Sequence, residues 1–123
     1  MQSILILDDD DGMRDILAKT LTRAGYHVLQ APDGSDVPKM LKKEPIHLLI
    51  TDLFMPETDG LETITNVRKQ FPNVKIIAMS GGTRLTDRDY LPVATKLGAH
   101  RVLHKPMDAA LFLKTVKEVL AAS

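Results

Sequence analysis

Cysteine is absent from the 123-residue sequence. Disulfides, thiolate metal sites and cysteine nucleophiles are therefore excluded, and a reducing compartment, the cytoplasm, is the predicted location. An excess of charge of either sign is also absent, because 16 Lys and Arg residues balance 16 Asp and Glu residues. Since no long-range field attracts polyanions, we expect neither nucleic acid nor a membrane as a direct partner.

Long hydrophobic runs are missing as well. The apolar stretch at residues 4–7 leads directly into four aspartates, so it is too short for a signal peptide or a membrane span. No repeat, linker or shift in composition marks a domain boundary. Hydrophobic residues make up 44% and charged residues 26%, as in ordinary globular proteins, and the length predicts a single domain over residues 1–123.

Short apolar runs alternate with segments of helical periodicity along the whole chain. This alternation predicts an α/β fold in which helices cover both faces of a five-stranded parallel sheet. Pro38 and Pro92 predict that two of the helices are short or bent. The predicted strands are residues 4–7, 27–30, 47–51, 75–79 and 101–104, and the clearest helical faces are Met13, Ile16, Leu17, Leu21 and Ala24; Leu61, Ile64, Val67 and Phe71; and Phe112, Val116, Val119 and Leu120.

Acidic residues end the first and third predicted strands, with Asp8 to Asp11 after the first and Asp52 after the third. In open α/β sheets ligands bind beyond the carboxyl ends of the strands, so we expect at least three of these carboxylates to meet there. Carboxylates this close are tolerated when they are protonated, paired with a cation or bound to a hard divalent ion. An all-oxygen set favours Mg²⁺ over zinc, and Asp9 and Asp52 are the predicted ligands.

The acidic run also permits simpler interpretations. Asp10 and Asp11 are typical of a solvated helix start, where a carboxylate stabilises the first turn, and we favour that role for both. Asp8 and Asp9 directly follow a buried strand, where two carboxylates need a specific reason, although a structural ion pair remains an alternative. Asp108 is likewise predicted to start the last helix.

Two further polar segments follow the fourth and fifth strands. Ser80, with Gly81 and Gly82, offers a hydroxyl and open backbone that can hold a tetrahedral oxyanion, although Ser-Gly-Gly is more often a plain turn. Lys105 precedes Pro106, and an ammonium at the mouth of an acidic pocket has an electrostatic reason to point inward. Lys105 is therefore predicted to pair with a carboxylate or a phosphoryl oxygen. No glycine-rich nucleotide-binding pattern is present.

Together these segments closely resemble the receiver domain of two-component response regulators, in its stand-alone, chemotaxis-regulator-like form. The resemblance spans the chain and rests on ILILDD ending at Asp9, LLITDLFMPETDG around Asp52, Ser80 after the fourth strand and HKP around Lys105. It implies a flavodoxin-like, doubly wound fold with five helices and the strand order 2-1-3-4-5.

The resemblance also implies a function. Asp52 would be the nucleophile that accepts a phosphoryl group from a phosphohistidine on a sensor histidine kinase or a histidine phosphotransfer protein. Ser80 would donate to one phosphoryl oxygen and Lys105 would neutralise another. The domain would then be a phosphoacceptor rather than an enzyme, catalysing only its own phosphorylation and dephosphorylation, and would signal to an unknown downstream protein through altered contacts.

A magnesium site follows from the same resemblance. Asp9, Asp52 and the backbone carbonyl of Phe54 would hold Mg²⁺. Asp8 would orient a metal-bound water and balance Lys105, so it belongs to the predicted metal set as well.

Three features depart from the commonest receivers. Val102, three residues before Lys105, stands where many carry an aromatic residue, so a rotamer swing of that ring is not expected. The interval from Ser80 to Lys105 is longer by a few residues, and a glycine-hinged loop is expected to move instead. Phe54 and Gly82 occupy positions that modulate water access to the acyl phosphate in the family. Because their effects can oppose each other, no lifetime of the phosphorylated form is predicted.

Three alternatives stay open. A stand-alone switch is expected if the last helix, predicted to finish at Leu120, ends the protein, whereas a longer regulator would continue into an output domain. A phosphohydrolase with an aspartyl nucleophile usually carries a second aspartate where Phe54 stands. A flavodoxin-like cofactor carrier is disfavoured, because the acidic pocket repels a phosphate unless a metal intervenes.

Overall fold

The computed structural model describes residues 2–53, 60–80, 92–105 and 108–122. Within those ranges, strands and helices alternate as the sequence predicts. The strands are β1 Ser3–Leu7, β2 His27–Ala31, β3 Leu48–Asp52, β4 Lys75–Ser80 and β5 Arg101–His104. The helices are α1 Asp11–Arg23, α2 Val37–Lys43, α3 Gly60–Gln70, α4 over residues 92–97 and α5 Ala109–Ala121, and a 3₁₀ turn at Gly34–Asp36 precedes α2.

The five described strands form one parallel sheet in the order β2-β1-β3-β4-β5, which confirms the predicted fold. The inner strands β1 and β3 are buried along their whole length. Unbroken apolar runs are typical of strands that are covered on both faces. The edge strands β2 and β5 are partly exposed, because each has a neighbour on one side only.

Local signals explain where the helices begin. The Asp10 carboxylate accepts a hydrogen bond from the Met13 amide at 3.0 Å and caps α1. The Asp108 carboxylate accepts from the Ala110 amide at 3.3 Å and caps α5. Pro38 lies in the first turn of α2, where its missing N–H has no intrahelical partner to lose, and this helix is only seven residues long. The predicted helix starts at Asp10 and Asp108 and the predicted short helix at Pro38 are therefore confirmed.

Two apolar layers hold the helices on the sheet. On one face α1 and α5 pack through side chains that include Leu21, Phe112 and Val116. On the other face α2, α3 and α4 pack through side chains that include Leu41 and Ile64. Each fully buried Leu, Ile or Phe stabilises the fold by about 1.5–3 kcal/mol, so the two layers hold the helices firmly against the sheet.

The predicted apolar face of α1 is partly wrong. Leu17 and Leu21 are buried as expected, but Ile16 is 61% exposed and Ala24 is an exposed cap residue beyond the helix. Ala18, which was not part of the predicted face, is buried instead. Neighbouring residues differ by about 100° around a helix, so a stripe centred on residues 17, 18 and 21 turns Ile16 away from the sheet.

Candidate functional site

Three strand ends bring charged side chains to the carboxyl edge of the sheet. Asp8 directly follows β1, Asp52 is the last residue of β3, and Lys105 directly follows β5. One carboxylate oxygen from each of Asp8, Asp9 and Asp52 lies within 4.8 Å of the other two. The structure thus brings together the acidic residues that sequence reasoning placed at this edge, because β1 and β3 are parallel neighbours that end side by side.

Asp8 is completely buried, and each of its polar atoms has a hydrogen-bond partner within the protein. Its Oδ1 accepts from the Asp10 amide at 3.0 Å, and its Oδ2 accepts from Lys105 Nζ at 2.7 Å. Its backbone carbonyl accepts from Arg14 Nη1 at 2.6 Å, and its amide donates to the Ala31 carbonyl at 3.3 Å. A buried carboxylate is tolerated only with such partners, so Asp8 is held in one orientation.

Lys105 joins two carboxylates. Its Nζ donates to Asp8 Oδ2 at 2.7 Å and to Asp52 Oδ2 at 2.9 Å, and its side chain is only 16% exposed. Burial of the ammonium acts against its charged form, but the hydrogen bonds and negative charges of Asp8 and Asp52 outweigh that effect. The pKa of Lys105 is therefore raised above its ordinary value of 10.5. The lysine is charged at neutral pH and compensates part of the carboxylate repulsion.

Asp9 differs from its two acidic neighbours because it is exposed. Within the described ranges no hydrogen bond or ion pair engages its side chain. Asp52 resembles Asp8 more closely, since it is buried, with 6% of its surface exposed, and is bonded to Lys105. Three carboxylates against one ammonium leave a negative excess, and an oxygen-only donor set with such an excess fits a hard divalent cation such as Mg²⁺.

Ser80 completes this edge of the sheet. It is the last residue of β4 rather than the first residue after it, and it is fully buried. Its carbonyl accepts a hydrogen bond from the Lys105 amide at 2.7 Å, which extends the pairing of β4 with β5 by one residue. The backbone of Ser80 is thereby tied directly to the backbone of the lysine.

Sequence reasoning missed Arg14. Its guanidinium contacts the Asp8 carbonyl, the Asp11 carboxylate at 2.6 Å and the Gln30 side chain at 3.2 Å. The available signal was its position one helical turn after the acidic run, from which a long side chain reaches back towards the strand end.

The remaining predicted residues fall into two groups, those that the structure describes away from the acidic edge and those that lie outside the described ranges. Val102 is half-buried and packs against the cluster on the α3 side of the sheet. The chemical roles of Asp52, Ser80 and Lys105 stay predictions. The predicted positions outside the described ranges are Phe54, Gly81, Gly82 and Pro106, and the predicted glycine-hinged loop after Ser80 lies outside them as well.

Comparison with known proteins assigns the family. A model of the response regulator receiver domain matches residues 4–117. The chain belongs to this family. It is therefore a receiver domain of two-component signalling, a kind of domain that accepts phosphoryl groups from histidine kinases.

Curated relatives show the receiver domain both alone and within longer chains. The response regulator receiver protein CpdR of Brucella abortus is 32% identical over 123 residues, which cover 100% of each chain. The transcriptional regulatory protein GlrR of Escherichia coli is 30% identical over 120 residues, but these span 98% of this chain and only 26% of GlrR. The same domain is thus similar to a whole protein in one case and to a quarter of a protein in the other.

A solved structure shares both fold and length. The response regulator TrrA from Thermotoga maritima, in complex with Mg(2+)-BeF, superposes with a TM-score of 0.85 at 26% identity and covers 97% of this chain and 99% of its own. Among the described residues of the present chain, none of the helices is long and apolar enough to span a bilayer.

Proposed function

We propose that this receiver domain is a phosphorylation switch in which Asp52 accepts the phosphoryl group in a Mg²⁺-dependent reaction. The single observation that carries the proposal is the ammonium of Lys105 bonded to both Asp8 and Asp52, with Asp9 beside them on the same edge of the sheet. This arrangement combines a nucleophilic carboxylate, a cation and an oxygen-rich metal pocket, which are the groups that phosphoryl transfer requires.

The metal would be held by Asp9 and Asp52, with Asp8 acting through a bound water. Asp8 suits the indirect role because both of its carboxylate oxygens already accept hydrogen bonds from the protein. Asp9 suits the direct role because its exposed carboxylate is not engaged by the described residues. The carbonyl of Phe54 is the remaining proposed ligand. When bound, Mg²⁺ would neutralise negative charge on the phosphoryl oxygens.

In the transfer, a carboxylate oxygen of Asp52 attacks phosphorus and forms the new O–P bond of an acyl phosphate. The P–N bond to the donor histidine breaks, and its electron pair stays on the departing imidazole nitrogen. Negative charge spreads over the three remaining phosphoryl oxygens. In this proposal Lys105 neutralises one of these oxygens and the Ser80 hydroxyl donates to another, and the distance of 2.9 Å from Lys105 Nζ to Asp52 Oδ2 supports the role of the lysine.

The same two residues would carry the response. A phosphoryl group adds roughly 1.5 to 2 negative charges, which draw Lys105 and Ser80 towards Asp52. Because the Lys105 amide is bonded to the Ser80 carbonyl, a shift of either residue moves the ends of β4 and β5 together. The donor would be a sensor histidine kinase or a histidine phosphotransfer protein, and the output an altered contact with a downstream protein.

Phosphorylation with a small donor tests the proposal. The full chain is incubated with acetyl phosphate and Mg²⁺, and its intact mass is measured. We expect one phosphoryl adduct on the native chain, none when a chelator removes the metal, and none on Asp52→Asn. Asp15→Asn is the matched control, since Asp15 is an exposed carboxylate on α1 and its loss removes the same charge.

An adduct of native yield on Asp52→Asn, or on the native chain in the presence of chelator, would contradict the proposal. Loss of the adduct in Asp15→Asn would show that net charge, and not a specific nucleophile, governs the reaction.

A further inference from the structure

Arg14 holds three separate groups with its guanidinium. Nη1 donates to the Asp8 carbonyl at 2.6 Å, Nη2 to Asp11 Oδ1 at 2.6 Å, and Nε to Gln30 Oε1 at 3.2 Å. The partners belong to the end of β1, the first turn of α1 and strand β2. The side chain is only 13% exposed, so it is a packed part of the fold rather than a solvated charge. A planar guanidinium presents donors in several fixed directions, which a lysine does not.

Arg14 bonds the backbone on both sides of Asp9. Its Nη1 donates to the Asp8 carbonyl, and its Nη2 donates to the Asp11 carboxylate, whereas the bond from its amide to the Asp10 carbonyl at 2.9 Å is the ordinary helical bond of any residue at this position. The side chain of Asp9 is exposed and finds no partner among the described residues, so within those ranges only the backbone that carries it restrains its position. The guanidinium bonds to Asp8 and Asp11 therefore restrain the backbone on either side of Asp9, from which its carboxylate projects.

We propose that Arg14 is a positioning residue for the magnesium site, which holds the turn between β1 and α1 so that Asp9 faces the cation. The inference rests on the proposed function and extends it to a residue that touches neither the cation nor the phosphoryl group. Groups that orient a metal ligand typically alter metal affinity about 10- to 100-fold when they are removed, although they make no bond to the metal.

Charge and position have opposite effects at Arg14. Removing a positive charge from beside an acidic site strengthens the attraction of that site for a dication. Releasing the turn leaves Asp9 without a fixed direction, which weakens binding. The sign of the change in Mg²⁺ affinity therefore separates a positioning role from a merely electrostatic one.

The test titrates the metal-free full chain with MgCl₂ and follows the backbone amide shifts of residues 8–10 by NMR. We expect Arg14→Gln to bind Mg²⁺ about tenfold more weakly than the native chain. Arg14→Lys should be weakened to a similar degree, because it keeps the charge but loses the forked donors. If Arg14→Gln does not fold, as judged by its unfolding curve, Arg14→Lys carries the same prediction.

A second readout needs no metal. The Asp10 amide donates to Asp8 Oδ1, so its exchange with solvent reports how firmly the turn is held. This amide should exchange about tenfold faster in Arg14→Gln, because the local opening of the turn becomes easier. Arg101→Gln is the matched control, since Arg101 is 51% exposed and makes one ion pair with Glu118 at 3.4 Å. That variant should keep native values in both measurements.

Native or stronger Mg²⁺ binding by Arg14→Gln overturns the proposal, and so does full recovery of affinity in Arg14→Lys. An unchanged exchange rate of the Asp10 amide overturns it as well. If the native chain itself fails to take a phosphoryl group, the proposed function fails, but the exchange rate in the metal-free chain still decides the role of Arg14.

Discussion

The two edges of the sheet satisfy their polar groups in different ways. At the amino edge, neutral imidazole nitrogens complete the hydrogen bonding of strand starts. The Ser3 amide donates to His47 Nδ1 at 3.0 Å, and the Ile76 amide donates to His100 Nδ1 at 3.1 Å. Each histidine returns a bond from its own amide, to the Ser3 carbonyl at 2.9 Å and to the Ile76 carbonyl at 2.7 Å. Both strand starts are therefore closed by a reciprocal pair of hydrogen bonds between a histidine and a strand residue.

At the carboxyl edge, charges face one another and the compensation is incomplete. Lys105 offsets part of the charge of Asp8 and Asp52, while Asp9 remains exposed beside them. Polar groups that are already hydrogen-bonded within the protein contribute stability and offer no free donor or acceptor to a ligand. A site with excess negative charge instead favours the binding of a cation. The contrast supports the proposal that the carboxyl edge carries the function, whereas the hydrogen bonds of the amino edge stabilise the fold.

The largest expected effect comes from removing the ammonium of the carboxyl edge. Lys105→Ala leaves the buried carboxylates of Asp8 and Asp52 without their cation, which should lower the free energy of unfolding by about 3 kcal/mol in metal-free solution. Excess Mg²⁺ should restore more stability to this variant than to the native chain. Urea unfolding with and without chelator measures both quantities. A variant as stable as the native chain in chelator would show that the two carboxylates do not depend on Lys105.

The same variant also tests switching. We expect Lys105→Ala to bind Mg²⁺ but to lose the conformational response to phosphorylation. Amide spectra of its phosphorylated form that match those of the phosphorylated native chain would remove Lys105 from the proposed response.

A smaller effect is expected at the amino edge. His100→Ala deprives the Ile76 amide of its acceptor and should lower the free energy of unfolding by about 1 kcal/mol. His100→Asn should recover most of this, because the amide oxygen of asparagine can take the place of Nδ1. Phosphorylation should be native in both variants, which intact mass would check. Reduced phosphorylation of His100→Ala, in protein that is fully folded, would contradict the expectation that the amino edge contributes to stability alone.

The two edges should also respond to opposite extremes of pH. Burial lowers the pKa of His100 below 6.5, and the positive charges of Arg68 and Lys75 act in the same direction. Below pH 6.5 the unfolded chain binds this proton more readily, so the contribution of His100 is present above 6.5 and is lost as pH falls through its lower folded value. The pKa of Lys105 is raised, so its contribution is present below pH 10.5 and is lost as pH rises through its higher folded value.

Urea unfolding across pH measures these contributions as differences between native protein and variant. The difference between native chain and His100→Ala should shrink below pH 6.5. The difference between native chain and Lys105→Ala should shrink above pH 10.5. Differences that stay constant through both ranges would contradict the assignments.

The smallest effect is expected within the acidic run itself. Asp10 caps α1, and serine is an equally good cap, so Asp10→Ser should change the free energy of unfolding by less than about 0.5 kcal/mol. Its Mg²⁺ affinity should stay near the native value. Asp9→Ser removes the same charge from the preceding residue and should weaken Mg²⁺ binding by at least about tenfold. Equal losses of affinity in both variants would mean that the acidic run acts through total charge alone.

Much of this edge could be predicted because acidic residues directly follow buried apolar strands. In a parallel sheet the strand ends meet, so Asp8 and Asp52 were expected to be neighbours. Arg14 was not predicted, because its contacts depend on which way one side chain leaves α1. The roles of His47 and His100 were missed for a similar reason, because nothing in the sequence indicates that these rings accept hydrogen bonds from the amides of Ser3 and Ile76.

The pattern of apolar and acidic residues sets the succession of strands and helices along the chain, the burial of β1 and β3 and the carboxylates at their ends. These features are local, because the spacing of apolar residues sets which segments are buried. The bonds of Lys105 to both Asp8 and Asp52, which lie 97 and 53 residues away along the chain, depend instead on how the chain folds in three dimensions. The strand order brings these segments to one edge, and burial there makes one ammonium the shared partner of two carboxylates.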